Sequence, residues 1–370
     1  MCYQRKVMKQ LVKSIVSEFD VKVHDEKLYS PLFLNPSLHF GEAYMDGLWD
    51  CDRLDALFEK IWPMELQKKA PKSLQMLSHI LNSMFNMQSK LRSKKVAQIH
   101  YNLGNDLYEA MLGPSMAYTC GYWKTATNLD QAQQDKYHLI CRKAIIQKGD
   151  KVLDLGCGFG GFAKYAAENY GCEVVGVNIS TEQVNYARES CKNLPVKIYL
   201  SDYRDDKRYN PDQIKFDKVI SVGLCEHIGN KNYRAFLEIA AKNLKDDGLF
   251  ILHTIGGNES TKTCDPWLDK YIFPNAIIPS ISQLSTASEG LFIMEDWHNF
   301  GADYDKTLIA WFENFEKNWP ELKSKYDDKF YRMWKYYLLS CAGGFRSRAI
   351  QLWQVVLSKN GIRGGYRSIR

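Results

Sequence analysis

The sequence predicts an α/β protein: a doubly wound, mostly parallel sheet, preceded by a smaller and mainly helical unit. Three observations carry this. Residues 151–183 read as apolar run, glycine turn, amphipathic run and second apolar run. Further apolar runs alternate with helical periodicity as far as Leu252. The first 80 residues or so show helical spacing instead, punctuated by Pro63 and Pro71.

Taken in order, Met8, Leu11, Val12, Ile15 and Phe19 space as a helix, and a strand-like stretch follows over 29–34. A second helical part opens at Phe40, with Leu54, Leu57, Phe58 and Ile61 on one face. Residues 73–95 form one amphipathic helix, with Leu74, Leu77, Leu81, Met84 and Leu91 sharing a face. The expected domains are 1–80, a linker helix over 81–99, and 100–370. Val152, Leu153 and Leu155 make a buried strand with Asp154 near its C-terminal edge. Gly156, Gly158 and Gly160 then allow a sharp turn and close approach to a ligand. A second strand ends at Asn178, a third at Ser201-Asp202-Tyr203, and a fourth leads into Cys225-Glu226-His227. Residues 265–356 are rich in aromatic side chains, which suggests an apolar substrate pocket. The tail over 361–367 is expected to be mobile.

Composition narrows the class. The chain has 370 residues and a net charge of +6. No apolar run of about 18 residues implies a membrane-spanning helix, and the charged start does not read as a signal peptide. The ten cysteines are scattered without a C-x-x-C pair, against a zinc site or a disulfide framework, so no metal is expected and a reducing cytoplasm fits. Charge is uneven. Residues 66–98 hold seven basic and no acidic side chains, and residues 329–370 hold nine and none. Two basic flanks suggest an anionic partner. The 73–95 helix then has two compatible roles, a packed linker or an interfacial helix on anionic lipid.

The glycine loop calls for a nucleoside cofactor. Gly156, Gly158 and Gly161 satisfy the dinucleotide pattern, but that pattern alone is weak. The G-x-G-x-G run after Asp154, the neutral Asn178 where a dinucleotide enzyme usually has an acid, and the Asp202-Tyr203 pair favour S-adenosylmethionine over NAD.

These features also resemble a family. Ile99-His100-Tyr101-Asn102-Leu103-Gly104-Asn105-Asp106-Leu107-Tyr108, Tyr118-Thr119-Cys120-Gly121-Tyr122-Trp123, Glu226-His227-Ile228-Gly229, His253-Thr254-Ile255-Gly256, Tyr271-Ile272-Phe273-Pro274, the run from Asp296 through Tyr304, and Ile350-Gln351-Leu352-Trp353-Gln354 are similar to cyclopropane-fatty-acyl-phospholipid synthases. The resemblance implies a class I methyltransferase, Rossmann-like catalytic domain and an N-terminal lipid-binding domain. It implies methylene transfer from S-adenosylmethionine to the cis double bond of a phospholipid acyl chain, with bound bicarbonate as base. The implied bicarbonate cage is Cys120, Glu226, His253, the Ile255 amide and Tyr304. The implied cofactor residues are Tyr118, Thr119, Asp154, Gly156, Gly158, Gly160, Asn178, Ile179, Gln183, Asp202 and Tyr203, the last standing where mycolate enzymes hold tryptophan. Cys341 matches a cysteine sometimes regarded as catalytic, but direct transfer needs no covalent intermediate, so a structural role is favoured. The resemblance also implies a homodimer, cytoplasmic and peripheral to the inner face of the cell membrane, with no nucleic-acid partner. The alternatives are a methyltransferase making methyl-branched lipids, one acting on a small soluble substrate, and a lipid-binding protein without activity.

Overall fold

Short, β-branched apolar runs flanked by helices bury both faces, as strands of a parallel sheet must. In the computed structural model, which describes residues 21–29, 35–65 and 104–370, they form one seven-stranded sheet. Its strands are β3 (Lys151–Leu155), β4 (Glu173–Asn178), β5 (Val196–Leu200), β6 (Phe216–Val222), β7 (Leu244–Gly257), β8 (Ile293–Asn299) and β9 (Ile350–Ser358). Two short strands precede them, β1 (Lys22–Val23) and β2 (Trp49–Asp50), paired antiparallel. The seven-strand order is β5-β4-β3-β6-β7-β9-β8. β3 to β7 run parallel, and β9 enters antiparallel between β7 and β8. The order reverses beside β3, so the C-terminal ends of β3 and β6 border the crevice where such sheets bind ligands.

Several helices start at a capping side chain. The helices include α1 (Pro36–Met45), α2 (Leu54–Ile61), α3 (Asn105–Leu112), α4 (Leu129–Lys143), α5 (Gly161–Tyr170), α6 (Thr181–Ser190), α7 (Cys225–Ile228), α8 (Tyr233–Asn243), α9 (Pro266–Tyr271), α10 (Ile281–Ser288), α11 (Ala302–Leu322) and α12 (Asp328–Arg346). The side chains of Asn128, Ser180 and Asp327 accept the N-terminal amides of α4, α6 and α12, and Ser280 with Gln283 closes a capping box on α10.

One core lies on each face of the sheet, around Leu153, Leu252 and Phe250 on one side and Ala163, Val174 and Ile251 on the other. A third joins α1 and α2 to α3, α11 and α12. The described part of the N-terminal unit therefore shares its core with helices from 302–346. Gly343 shows how closely they meet: a Cβ there would lie 2.5 Å from Glu59 N and 2.6 Å from Asp55 O.

One expectation is corrected. The tail is pinned: Tyr366 Oη donates to Lys143 O at 3.0 Å, and Ser368 and Arg370 both bond the Asp296 carboxylate. Five of the nine basic side chains of the C-terminal flank are paired within the chain: Lys329, Arg332, Arg346, Lys359 and Arg370 meet Asp46, Asp50, Asp55, Asp246 and Asp296 from earlier in the sequence. The helices expected over 8–19 and 73–95, the motif residues 99–103, and Lys68, Lys69, Lys72, Lys90, Arg92, Lys94 and Lys95 lie outside the described residues. No described helix is long and apolar enough to cross a membrane.

Candidate active site

After β3 the chain must turn at once into α5, and Gly156, Gly158 and Gly160 all take positive φ to do it. At Gly160 a Cβ would sit 2.9 Å from that of Ala187, whereas at Gly158 nothing lies within 4 Å. Gly158 thus marks the open side of the loop. Asp154 is buried at the end of β3, with Oδ2 lacking a protein partner, and burial pushes its carboxyl up to about 7. Asn178 braces the loop from β4: its Nδ2 donates to Gly158 O at 3.2 Å and to Gln183 Oε1 at 2.7 Å, and its Oδ1 accepts Ile179 N–H.

The third-strand residues are held differently from the expectation that they offer a carboxylate and a ring face to adenine. The Asp202 carboxylate is clamped by Arg204, Nε to Oδ1 at 2.7 Å and Nη2 to Oδ2 at 2.6 Å. The Tyr203 ring is buried edge-on to Phe236 and carries the Arg204 guanidinium 5.3 Å from its centroid.

A strap over 117–123 carries Tyr118, Thr119 and Cys120, and three helices hold it. From α4, Gln133 Nε2 donates to Thr119 O and Lys136 Nζ to Thr119 Oγ1, both at 2.8 Å. From α11, Thr307 Oγ1 accepts Gly121 N–H at 3.0 Å, and Asp303 accepts Trp123 N–H at 2.8 Å. Tyr118 Oη donates to Tyr337 Oη at 2.8 Å, tying the strap to α12.

Facing the strap is a buried polar cluster. Glu226 sits on α7, directly after β6, where its Oε1 accepts Ile255 N–H at 2.6 Å. That amide, expected to bind bicarbonate, is thus committed to the carboxylate. Strand register sets His253 beside Val222 on β6 and Gln354 on β9, and Gln354 Nε2 lies 3.2 Å from His253 Nδ1. Glu226 Oε2 and His253 Nε2 are buried without protein partners, and buried polar atoms of this kind call for a ligand or water.

Burial controls the charges. It raises Glu226 to about 7, holds His253 well below the usual imidazole range, and keeps Cys120 and Tyr304 well above theirs. Tyr304 lies within electrostatic reach of Cys120, Glu226 and Cys341. The walls are aromatic: Tyr304 stacks on Phe345 at 4.4 Å and meets Trp311 edge-on, while Tyr118 packs against Tyr108, Phe273 and Trp311. Such a site can hold a small polar ion beside an apolar chain and keep water out.

The fold thus brings the proposed cage and the glycine loop to the same sheet edge. Sequence reasoning missed Gln133, Lys136, Thr307 and Tyr337. Each acts through a partner distant in the chain, and a lone lysine on a polar helix reads as solvated; only Gln354 lay inside a quoted motif.

The sheet order with its antiparallel seventh strand, and the glycine loop at the switch point, define a class I S-adenosylmethionine-dependent methyltransferase fold. Solved structures agree. The cyclopropane synthase MmaA2 from Mycobacterium tuberculosis matches with a TM-score of 0.66 at 26% identity, over 72% of this chain and 98% of that one. The mycolic acid cyclopropane synthase CmaA1, complexed with SAH and CTAB, matches with a TM-score of 0.66 at 27% identity, over 72% and 98%. The family model for mycolic acid cyclopropane synthetase matches residues 88–355. The cyclopropane-fatty-acyl-phospholipid synthase of Escherichia coli (strain K12) is 49% identical over 352 residues, 95% of this chain and 90% of that protein. The chain belongs to this cyclopropane synthase family, and it is an S-adenosylmethionine-dependent enzyme.

Proposed function

We propose that the protein adds a methylene group from S-adenosylmethionine across the cis double bond of unsaturated phospholipid acyl chains. The observation that carries this reading is the buried polar cluster of Glu226, His253, Tyr304 and Cys120, walled by aromatic rings beside the glycine loop. An alkene is a weak nucleophile and needs the strong sulfonium electrophile. Methyl transfer forms one C–C bond, releases S-adenosylhomocysteine and leaves a carbocation. Loss of a proton from the added methyl lets the second C–C bond close the ring. Tyr118, Tyr304 and Trp311 supply the aromatic surroundings that favour a nearby cation, and their packing excludes the water that would trap it.

Bicarbonate in the cage supplies the base. His253 and Tyr304 can donate to it, and Glu226 can accept from its hydroxyl. Glu226 Oε2 and His253 Nε2, buried and without protein partners, fit such an ion. The glycine loop, Asp154, Tyr118 and Thr119 hold the methionine end of the cofactor, with Asn178, Ile179 and Gln183 beyond them. Asp202 and Tyr203 border the adenine side, subject to the Arg204 clamp. Cys341 is structural. The N-terminal unit over 1–80 and the basic linker over 81–99 bring the catalytic domain to an anionic lipid surface. A homodimer peripheral to the inner face of the cell membrane would present two such units.

The test is incubation with S-adenosylmethionine and vesicles of cis-unsaturated phospholipid, with fatty acids read by mass spectrometry and NMR. Gain of one CH2 as a ring is expected. No gain sinks the reading, an unringed gain points to methyl branching, and turnover of a soluble acceptor without vesicles points to a small substrate.

A further inference from the structure

Lys136 is fully buried in α4, an unusual place for a lysine. Its Nζ donates to Thr119 Oγ1 at 2.8 Å and lies 4.4 Å from the centroid of the Tyr137 ring. Among the described residues, no carboxylate comes within ion-pair distance of it. A second fully buried lysine, Lys143, whose charge also reaches His253, differs in having Asp296 4.0 Å away, a carboxylate that also holds Arg370. An unpaired buried ammonium is costly unless something offsets it.

The place of Lys136 suggests what does. Its charge acts on Asp154 beneath the glycine loop and on both Cys120 and His253 of the cage. The cage itself supplies no cation. Cys120 is held as thiol, Tyr304 as phenol and His253 as neutral imidazole. A small oxyanion placed there would lack a countercharge from its direct ligands.

We propose that Lys136 is a positioning residue whose ammonium supplies the countercharge that retains a small oxyanion in the Cys120–Glu226–His253–Tyr304 cage, acting across the Thr119–Cys120 strap. This rests on the anion-base reading given above. It extends that reading to a residue that does not touch the ion.

Burial pulls Lys136 down to about 7. A bound anion then favours the protonated form, and protonation favours the anion. Thr119 on the strap and the Tyr137 ring on its own helix touch Lys136, and Cys120 on the strap, Asp154 on β3 and His253 on β7 lie within its electrostatic reach. Anion affinity should therefore fall as pH rises through neutrality. Glu226 titrates in the same range and pushes the same way, since its ionisation repels the anion. A variant separates the two.

The experiment compares wild type with Lys136→Met in buffers stripped of carbonate and re-titrated with bicarbonate. S-adenosylmethionine and unsaturated-phospholipid vesicles are held at saturation, and thermal melts are run alongside. Lys136→Met should raise the half-saturating bicarbonate concentration by about tenfold, approach the wild-type rate at high bicarbonate, and melt no lower than wild type. The remaining pH dependence should be shallower. An unchanged half-saturation overturns the proposal while leaving the anion reading intact. A rate loss that bicarbonate cannot restore, paired with a lower melting temperature, assigns Lys136 a structural role and also overturns it. A wild type indifferent to bicarbonate overturns both. If Lys136→Met does not fold, Thr119→Val removes the oxygen that fixes the ammonium; there a rise of roughly threefold is expected, and no rise overturns the proposal.

Discussion

Glu226 carries an energetic conflict at the scale of single residues. One carboxyl oxygen is fixed by the Ile255 amide, while burial raises the group from 4.5 to about 7. A raised carboxyl favours the protonated folded form. Its contribution to stability is fully present below about 4.5 and is lost as pH rises through about 7. Glu226→Gln should therefore raise stability at pH ~8 by up to roughly 3 kcal/mol and change it little at pH ~4.5. Turnover should fall by more than about 100-fold. Melts of the ligand-free protein at both pH values check the first part; an equal shift at both would reject the burial account. Cys341 makes the opposite case. It is buried on α12 and pushed up to about 12, so it stays a thiol at neutral pH and is a poor nucleophile. Cys341→Ala should keep turnover within about threefold and cost about 1 kcal/mol of packing; loss of activity in a stably folded variant would restore Cys341 to the chemistry. The glycine loop, Glu226 and His253 were legible because local spacing and motif announce them. The Arg204 clamp on Asp202 and the burial of Lys136 were not, because a residue's own letter says nothing of its neighbours in space.

At the scale of elements, the glycines of α12 do more than flank a cysteine. Helix α2 lies against Gly343, and the nearest atoms are backbone, which cannot rotate away. Gly343→Ala should force the two helices apart and cost about 2 kcal/mol, from overpacking set against a small gain in helix propensity. The melting temperature reports it, and a variant at least as stable as wild type would show that the contact yields. Arg346 belongs to the same junction, bonding Asp55 on α2 and Asp305 on α11. The parallel half of the sheet was readable because each strand is a short apolar run ending in a glycine or a polar residue. β8 and β9 were not. Their apolar residues merge with the aromatic-rich stretch around them, and antiparallel insertion between β7 and β8 is a long-range pairing that no local period encodes.

At the scale of the whole molecule, net charge is the quantity that sequence alone states best and places worst. The chain carries +6, with two basic flanks. Five of the nine basic residues over 329–370 form ion pairs with acids from earlier in the chain, so that flank contributes less free positive charge than its composition implies. The stretch over 66–98 has seven basic residues and no acid of its own, and it is the stretch we propose for contact with an anionic surface. Each lysine or arginine near such a surface contributes about 1 kcal/mol, screened within about 10 Å at ordinary salt. Replacing Lys90, Arg92, Lys94 and Lys95 by alanine should then weaken binding to anionic vesicles by about 100-fold or more at low salt, and progressively less as salt rises. Binding to neutral vesicles should change little. Turnover should fall in step with vesicle binding, because the catalytic residues are untouched. Co-sedimentation across a salt series reads the binding, and the cyclopropane yield on the same vesicles reads its consequence. Equal binding by variant and wild type at every salt concentration would remove the stretch from the membrane contact and return it to the role of a packed linker.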